Sequence, residues 1–270
     1  MDWKRQTAVA GRFYSSEPAT LEAQLRGWFS GMRAPEKQKV ALLAPHAGYQ
    51  YSGKTAASAY ADSTIPESVV ILCPNHTGEG PRLSIWDRGQ WETPLGPVAI
   101  DEELATKLTT AAPVLRSDRS AHLYEHAIEV HLPFLRFLNP KVKIVPIVIG
   151  PLLLTRALAT GMDIGNVLSM EEKAPLIVTS TDMSHYISAQ EAEKLDRLAL
   201  DRVEALDPAG LYQTVSENNI SMCGFIPTTI ALQAAAALGA SRCRLIEYTN
   251  SGAETGDYDS VVGYAAASID

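Results

Sequence analysis

The chain has 270 residues, 46% of them hydrophobic and 20% charged, and a formal net charge of -8. That length and apolar share are enough for a sizeable buried core and exclude a disordered chain. The acidic balance, without any long basic run, excludes nucleic acid as a generic partner, because nothing would neutralise a phosphate backbone.

The longest apolar stretch, Ile144 to Leu154, contains two prolines and falls short of the roughly 20 residues a membrane-spanning helix needs. The first residues lack an apolar signal core, so the expected compartment is the cytoplasm, with no membrane association. Cys73, Cys223 and Cys243 are an odd count with no CxxC pair, which argues against a disulfide framework and a structural zinc ribbon.

In chain order, Leu21 to Met32 reads as a helix, Val40 to Ala44 as a strand, Gly53 to Ala61 as a helix and Ser68 to Cys73 as a strand. Arg82 to Trp86 and Gly96 to Ile100, joined by a Gly/Pro-bearing segment, read as an antiparallel addition to the sheet. Helices are expected over Asp101 to Ala111 and His126 to Phe137, followed by a strand over Lys143 to Ile149 and a helix over Thr155 to Ser169. Pro175 to Ser180 reads as a strand, and Ala189 to Ala205, Pro208 to Ser216 and Pro227 to Leu238 read as helices. Arg244 to Tyr248 and Val261 to Ala267 are the last strands. This alternation predicts a three-layer α/β/α architecture around a mostly parallel, mixed sheet. With no linker-like tract and no repeat, one domain over residues 1–270 is the simplest organisation.

In such a sheet the ligand crevice lies beyond the carboxyl ends of the strands. Three strands run into histidines there: Pro45-His46, Pro74-Asn75-His76, and Thr181-Asp182-Met183-Ser184-His185. The prolines fix local φ, and the imidazoles are expected to meet in one polar pocket with Asp182. Two neutral imidazoles, an anionic ligand and open positions form the pattern of a reactive metal site. Asp182, three residues before His185, can fix the tautomer of that ring or cap the following segment. Cys223 precedes Gly224 and an alanine-rich helix; its sulfur is either a thiolate favoured by the helix N-terminus or an inert buried thiol. Cys73 and Cys243 read as packing residues. The segment His122 to Pro133 is rich in His and Glu but is not HExxH; Glu125 and His126 read as a polar helix start or as support for the site. Tyr49, Tyr186 and Trp91 are candidate aromatic contacts or packing residues.

Pro45-His46-Ala-Gly-Tyr49, Pro74-Asn-His76, Trp91-Glu-Thr-Pro-Leu-Gly96, Glu125-His126-Ala-Ile-Glu129, Ser180-Thr-Asp-Met-Ser-His185-Tyr186, Cys223-Gly224 and Tyr248-Thr-Asn-Ser-Gly252 with Val261-Val-Gly-Tyr264 occur in this order. Together they resemble the Memo family, whose prokaryotic members are called AmmeMemoRadiSam system protein B. The resemblance implies the fold of the class III extradiol ring-cleaving dioxygenases, whose non-haem iron is held by two histidines and a carboxylate. By position it implies His46 and His76 as metal ligands and His185 as the acid/base, with Asp182 beside it. Cys223 stands where the dioxygenases have their carboxylate; a thiolate there suits copper or zinc as well as iron. The implied cofactor is one transition-metal ion, with Glu125, His126 and Tyr49 supporting it or contacting substrate. The implied activity is a metal-dependent, dioxygenase-like redox reaction. The alternative is a protein that binds a peptide or small molecule in the same pocket without turnover.

Overall fold

The structure is a computed structural model and describes residues 3–270. Its strands, in chain order, are β1 (Lys4–Arg5), β2 (Ala41–Ala44), β3 (Ser68–Pro74), β4 (Leu83–Ile85), β5 (Gln90–Trp91), β6 (Val98–Ile100), β7 (Arg116–Ser117), β8 (Lys143–Ile149), β9 (Leu176–Ser180), β10 (His185–Ile187), β11 (Cys243–Asn250) and β12 (Val261–Ile269). The centre of the sheet is the parallel run β8-β3-β9-β2. These strands read as unbroken apolar runs because both of their faces are covered. Alternate residues divide between two cores: Leu43, Val70, Leu72, Val145, Ile147 and Ile177 face one helical layer, while Leu42, Val69, Ile71, Cys73, Ile144 and Val178 face the other. Cys73 is thus a packing residue, as its apolar setting predicts. Cys243, the first residue of β11, packs against the first of these cores.

On one side β12 adds antiparallel to β2, and β11 antiparallel to β12. On the other side the expected antiparallel addition is made by β4 and not by β6. β4 and β6 do not pair with each other; they share the free edge of β8, β4 antiparallel along its carboxyl half and β6 parallel along its amino half. The antiparallel partner of β6 is the two-residue β5, which in turn pairs with β1.

The helices largely follow their predicted spans. Pro18 starts the first one three residues early, at Pro18–Phe29, a position that suits its fixed φ. The helix expected over His126 to Phe137 is two short pieces, His126–Glu129 and Leu132–Leu138, with Pro133 in the first turn of the second. Ser188 caps Ala189–Glu204 by accepting from the Glu191 N–H, and Asp101 caps Glu102–Ala111 in the same way. Among the described residues no helix is long and apolar enough to cross a membrane.

The helix Phe225–Ala237 begins hard against the end of β9, where a Cβ on Gly224 would lie 2.4 Å from the carbonyl oxygen of Ser180. Only glycine allows that approach, and it carries Cys223 to the carboxyl edge of the sheet.

Candidate metal centre

β2 and β9 pair in register, Ala44 opposite Ser180, so the loops that follow them emerge side by side. His46 lies two residues beyond Ala44 and is buried. Its backbone N–H donates to Asp182 Oδ1 at 2.8 Å, and its ring Nδ1 lies 2.7 Å from Ser180 Oγ. Burial holds the imidazole well below its usual pKa, and His76, His126, His131 and His185 push in the same direction. The ring is therefore neutral and keeps a lone pair.

His76 lies two residues beyond the end of β3, with about a third of its side chain (34%) open to solvent. Its N–H donates to Glu125 Oε2 at 2.6 Å and its ring Nδ1–H to Oε1 at 2.9 Å. A carboxylate only accepts, so Nε2 is left as the free ring atom. Burial alone would lower the His76 pKa; the Glu125 hydrogen bond and charge outweigh it and raise it. Glu125 itself is fully buried and also accepts from Ala127 N–H at 3.0 Å, capping the short helix His126–Glu129. It therefore serves both as a helix start and as a brace for His76.

Cys223 completes the group. Its Sγ is 3.3 Å from His46 Nε2 and accepts from the Asp182 N–H at 3.3 Å. Ligand atoms of His46, His76 and Cys223 all lie within 4.8 Å of one another. First-row metals bind imidazole and thiolate at about 2.0–2.3 Å, which puts ligand atoms of a tetrahedral site about 3.3–3.8 Å apart. The three fit a metal with modest inward movement. Of the two readings of Cys223, its surroundings disfavour the free thiolate. Burial, reinforced by the Asp182 carboxylate, pushes the thiol up, and a cation is needed to offset this.

His76, Glu125 and His126 form a second group of the same spread. His126 stacks on His76, ring centroids 4.7 Å apart, and burial drives its pKa down to about 4. Both Glu125 oxygens are already engaged by His76, so this group reads as support for His76.

Asp182 and His185 are placed differently from expectation. Asp182 does not orient His185. Its Oδ1 is taken by the His46 N–H, while the His185 Nδ1–H donates to the Ser221 carbonyl at 2.9 Å and the His185 N–H to Ser221 Oγ at 2.8 Å. The reason is that His185 starts β10, whose pairing with β12 carries it away from the loop. It stays close enough for its charge to act on Asp182, a carboxyl that burial pushes up. Asp182 caps no helix either, since β10 follows it. Tyr49 offers no phenol to a ligand: it is buried against Tyr14, Trp28 and Phe134, and its hydroxyl donates to Val130 O at 2.7 Å. Trp91 is buried beneath the Arg5 guanidinium, 4.2 Å from its ring centroid, while Tyr186 is exposed with φ 59°.

Two residues escape a reading by motif. Arg5 donates to the carbonyls of His122 and Glu125, at 2.7 and 2.8 Å, and steadies the segment that carries Glu125. Ser180 lies within hydrogen-bond distance of both His46 and His131. A groove of about 670 Å³ runs alongside, lined among others by Arg12, Phe13, Gly48 and Tyr51, with Phe13 packed 4.9 Å from the His126 ring.

A family model described as Memo-like protein matches residues 5–268. A MEMO1 family protein of Aquifex aeolicus is 44% identical over 262 residues, covering 96% of this chain and 97% of the relative. Those of Methanothermobacter thermautotrophicus and Methanopyrus kandleri are 39% and 40% identical, each covering 97% of this chain and 98% of the relative. A crystal structure of an uncharacterized Escherichia coli K12 protein superposes with a TM-score of 0.56 at 12% identity, over 84% of this chain and 99% of that one, a likeness that bears on fold alone. Matched from end to end by the family model and by these relatives, the chain belongs to the Memo family.

Proposed function

We propose that this protein is a metal-dependent oxidoreductase of dioxygenase-like type, in which His46, His76 and Cys223 hold one transition-metal ion, iron, copper or zinc. The observation that carries this reading is the convergence of two imidazole rings from strand ends with one sulfur from the start of a helix, each ring anchored through its Nδ1. The ion would supply Lewis acidity and, as iron or copper, one-electron chemistry. Around it the chain's own groups divide the work. Buried His46 keeps water from one side, with Cys223 half-buried beside it, while the partly open His76 leaves a way in. His185, its Nδ1–H spent on Ser221, offers Nε2 for proton transfer. Asp182 holds the His46 backbone, and its raised pKa keeps a proton within its reach near neutrality.

The groove lined by Arg12 and Tyr51 favours a small-molecule or peptide ligand, which would also serve a binding protein without turnover. Three free thiols fit a cytoplasmic setting. The deciding experiment is elemental analysis of protein purified without oxygen, followed by oxygen consumption with candidate reductants. Stoichiometric metal with turnover supports the oxidoreductase; metal without turnover on any reductant favours the binding protein. Absence of metal from protein purified with iron, copper and zinc supplied would sink the oxidoreductase reading.

A further inference from the structure

Ser180 ends β9 fully buried, and its Oγ has three polar neighbours: the Ala127 carbonyl oxygen at 2.7 Å, His46 Nδ1 at 2.7 Å and His131 Nε2 at 2.8 Å. A serine hydroxyl has one hydrogen to give and two lone pairs to receive with. The Ala127 carbonyl can only accept, so the hydroxyl hydrogen belongs there. Both imidazoles must then donate, His46 through Nδ1–H and His131 through Nε2–H. Any other arrangement leaves the buried Ala127 carbonyl without this donor, which folded proteins rarely tolerate. With the hydrogen on Ala127 and one lone pair taken by His131, the hydroxyl cannot rotate, and its last lone pair is aimed at His46.

The consequence reaches the other side of the His46 ring. A neutral imidazole protonated on Nδ1 keeps its lone pair on Nε2, the atom 3.3 Å from Cys223 Sγ. His131 does not touch the three converging ligands. It is fully buried, with its ring centroid 6.0 Å from that of Tyr60.

We infer that Ser180 and His131 are positioning residues that lock His46 in its Nδ1–H tautomer, so that Nε2 is the nitrogen presented beside Cys223. The functional meaning of this lock rests on the proposed metal site, but the lock itself exists in the metal-free protein.

The test therefore begins without metal. Long-range proton–nitrogen correlation spectra of uniformly nitrogen-15-labelled protein at neutral pH report which ring nitrogen of each histidine is protonated. The expected result is Nδ1–H for His46 and Nε2–H for His131. Ser180→Thr, which keeps the hydroxyl, should preserve both; Ser180→Ala should let His46 populate its Nε2–H form. Zinc(II) affinity, measured by competition with a chelator, should fall about 10–100-fold in Ser180→Ala, the scale seen for groups that orient a metal-bound histidine, and recover in Ser180→Thr. His131→Phe should give a smaller loss than Ser180→Ala. A wild-type His46 protonated on Nε2 overturns the inference, as does Ser180→Ala with an unchanged tautomer and unchanged zinc affinity. If Ser180→Ala does not fold, the wild-type and Ser180→Thr spectra still decide it. A wild-type protein with the expected tautomers that takes up no zinc, iron or copper would refute the metal assignment and leave the lock standing.

Discussion

Arg5 and Glu129 form an ion pair 2.7 Å apart with neither side chain exposed to solvent. The rest of the carboxylate is filled by the N–H groups of Ala8 and Val9 and by the Tyr14 hydroxyl, at 2.8 to 2.9 Å. The pair thus ties the first strand and the loop after it to the helix that begins at Glu125. Removing one partner of such a pair strands a buried charge, which costs about 3–5 kcal/mol. Arg5→Met should therefore lower the urea midpoint sharply, and it should also weaken metal retention by loosening Glu125 behind His76. A midpoint within error of the wild type would show that the pair does not hold this corner together.

The ligand assignment makes a different demand. His46→Ala and His76→Ala should each lose most of the bound metal without unfolding in metal-free form, His76→Ala melting close to the wild type because its ring is partly open and His46→Ala somewhat lower because its ring is buried. Metal content and melting, measured on the same preparations, check this. Unfolding of both variants would point to a structural role for the two rings.

His185 should separate from the ligands in the opposite sense. His185→Ala is expected to keep near-full metal occupancy while slowing the chemical step by about 10²–10⁴-fold, the range of general acid–base catalysis. Its ring is held by the Ser221 backbone and lies outside the converging ligand atoms. Metal loss as complete as in His46→Ala would move His185 into the coordination sphere.

The buried histidines also set an acid limit. Burial pushes His122 down to about 3, with the Arg5 guanidinium adding to the effect, and pushes His131 down to about 3, with His126 adding. In the unfolded chain both titrate near 6.5. Between those values the unfolded chain binds protons that the folded chain refuses. Their contribution is complete above about pH 6.5 and is lost as pH falls toward 3, by up to about 1.4 kcal/mol per pH unit for each ring. Denaturant titrations at pH 7, 6, 5 and 4.5 should show this decline, and His122→Gln should make it shallower. A free energy of unfolding that stays level over that range contradicts the assignment of buried, neutral rings.

The four central strands are legible in the sequence because burial on both faces writes them as unbroken apolar runs, and their ends point to His46 and His76. β1, β5 and β7 are not, since two residues carry no period. The partners of Glu129 and Ser180 are hidden for another reason. Arg5 is 124 residues from Glu129, and His46 is 134 from Ser180, so no spacing rule joins them. The Asp182–His185 spacing misleads because His185 starts β10: proximity along the chain is overruled by pairing with β12.

Gly224 acts as a gauge. With a hydrogen where every other residue has a carbon, it lets the start of a helix rest directly on the Ser180 carbonyl and the Thr181 side chain, both 2.4 Å from where that carbon would be. The sulfur one residue earlier inherits its separation from the His46 ring from that contact. Gly224→Ala would leave every candidate ligand in the sequence and still spoil the site, because the added methyl group would have to push the helix back, and with it the only soft donor of the three.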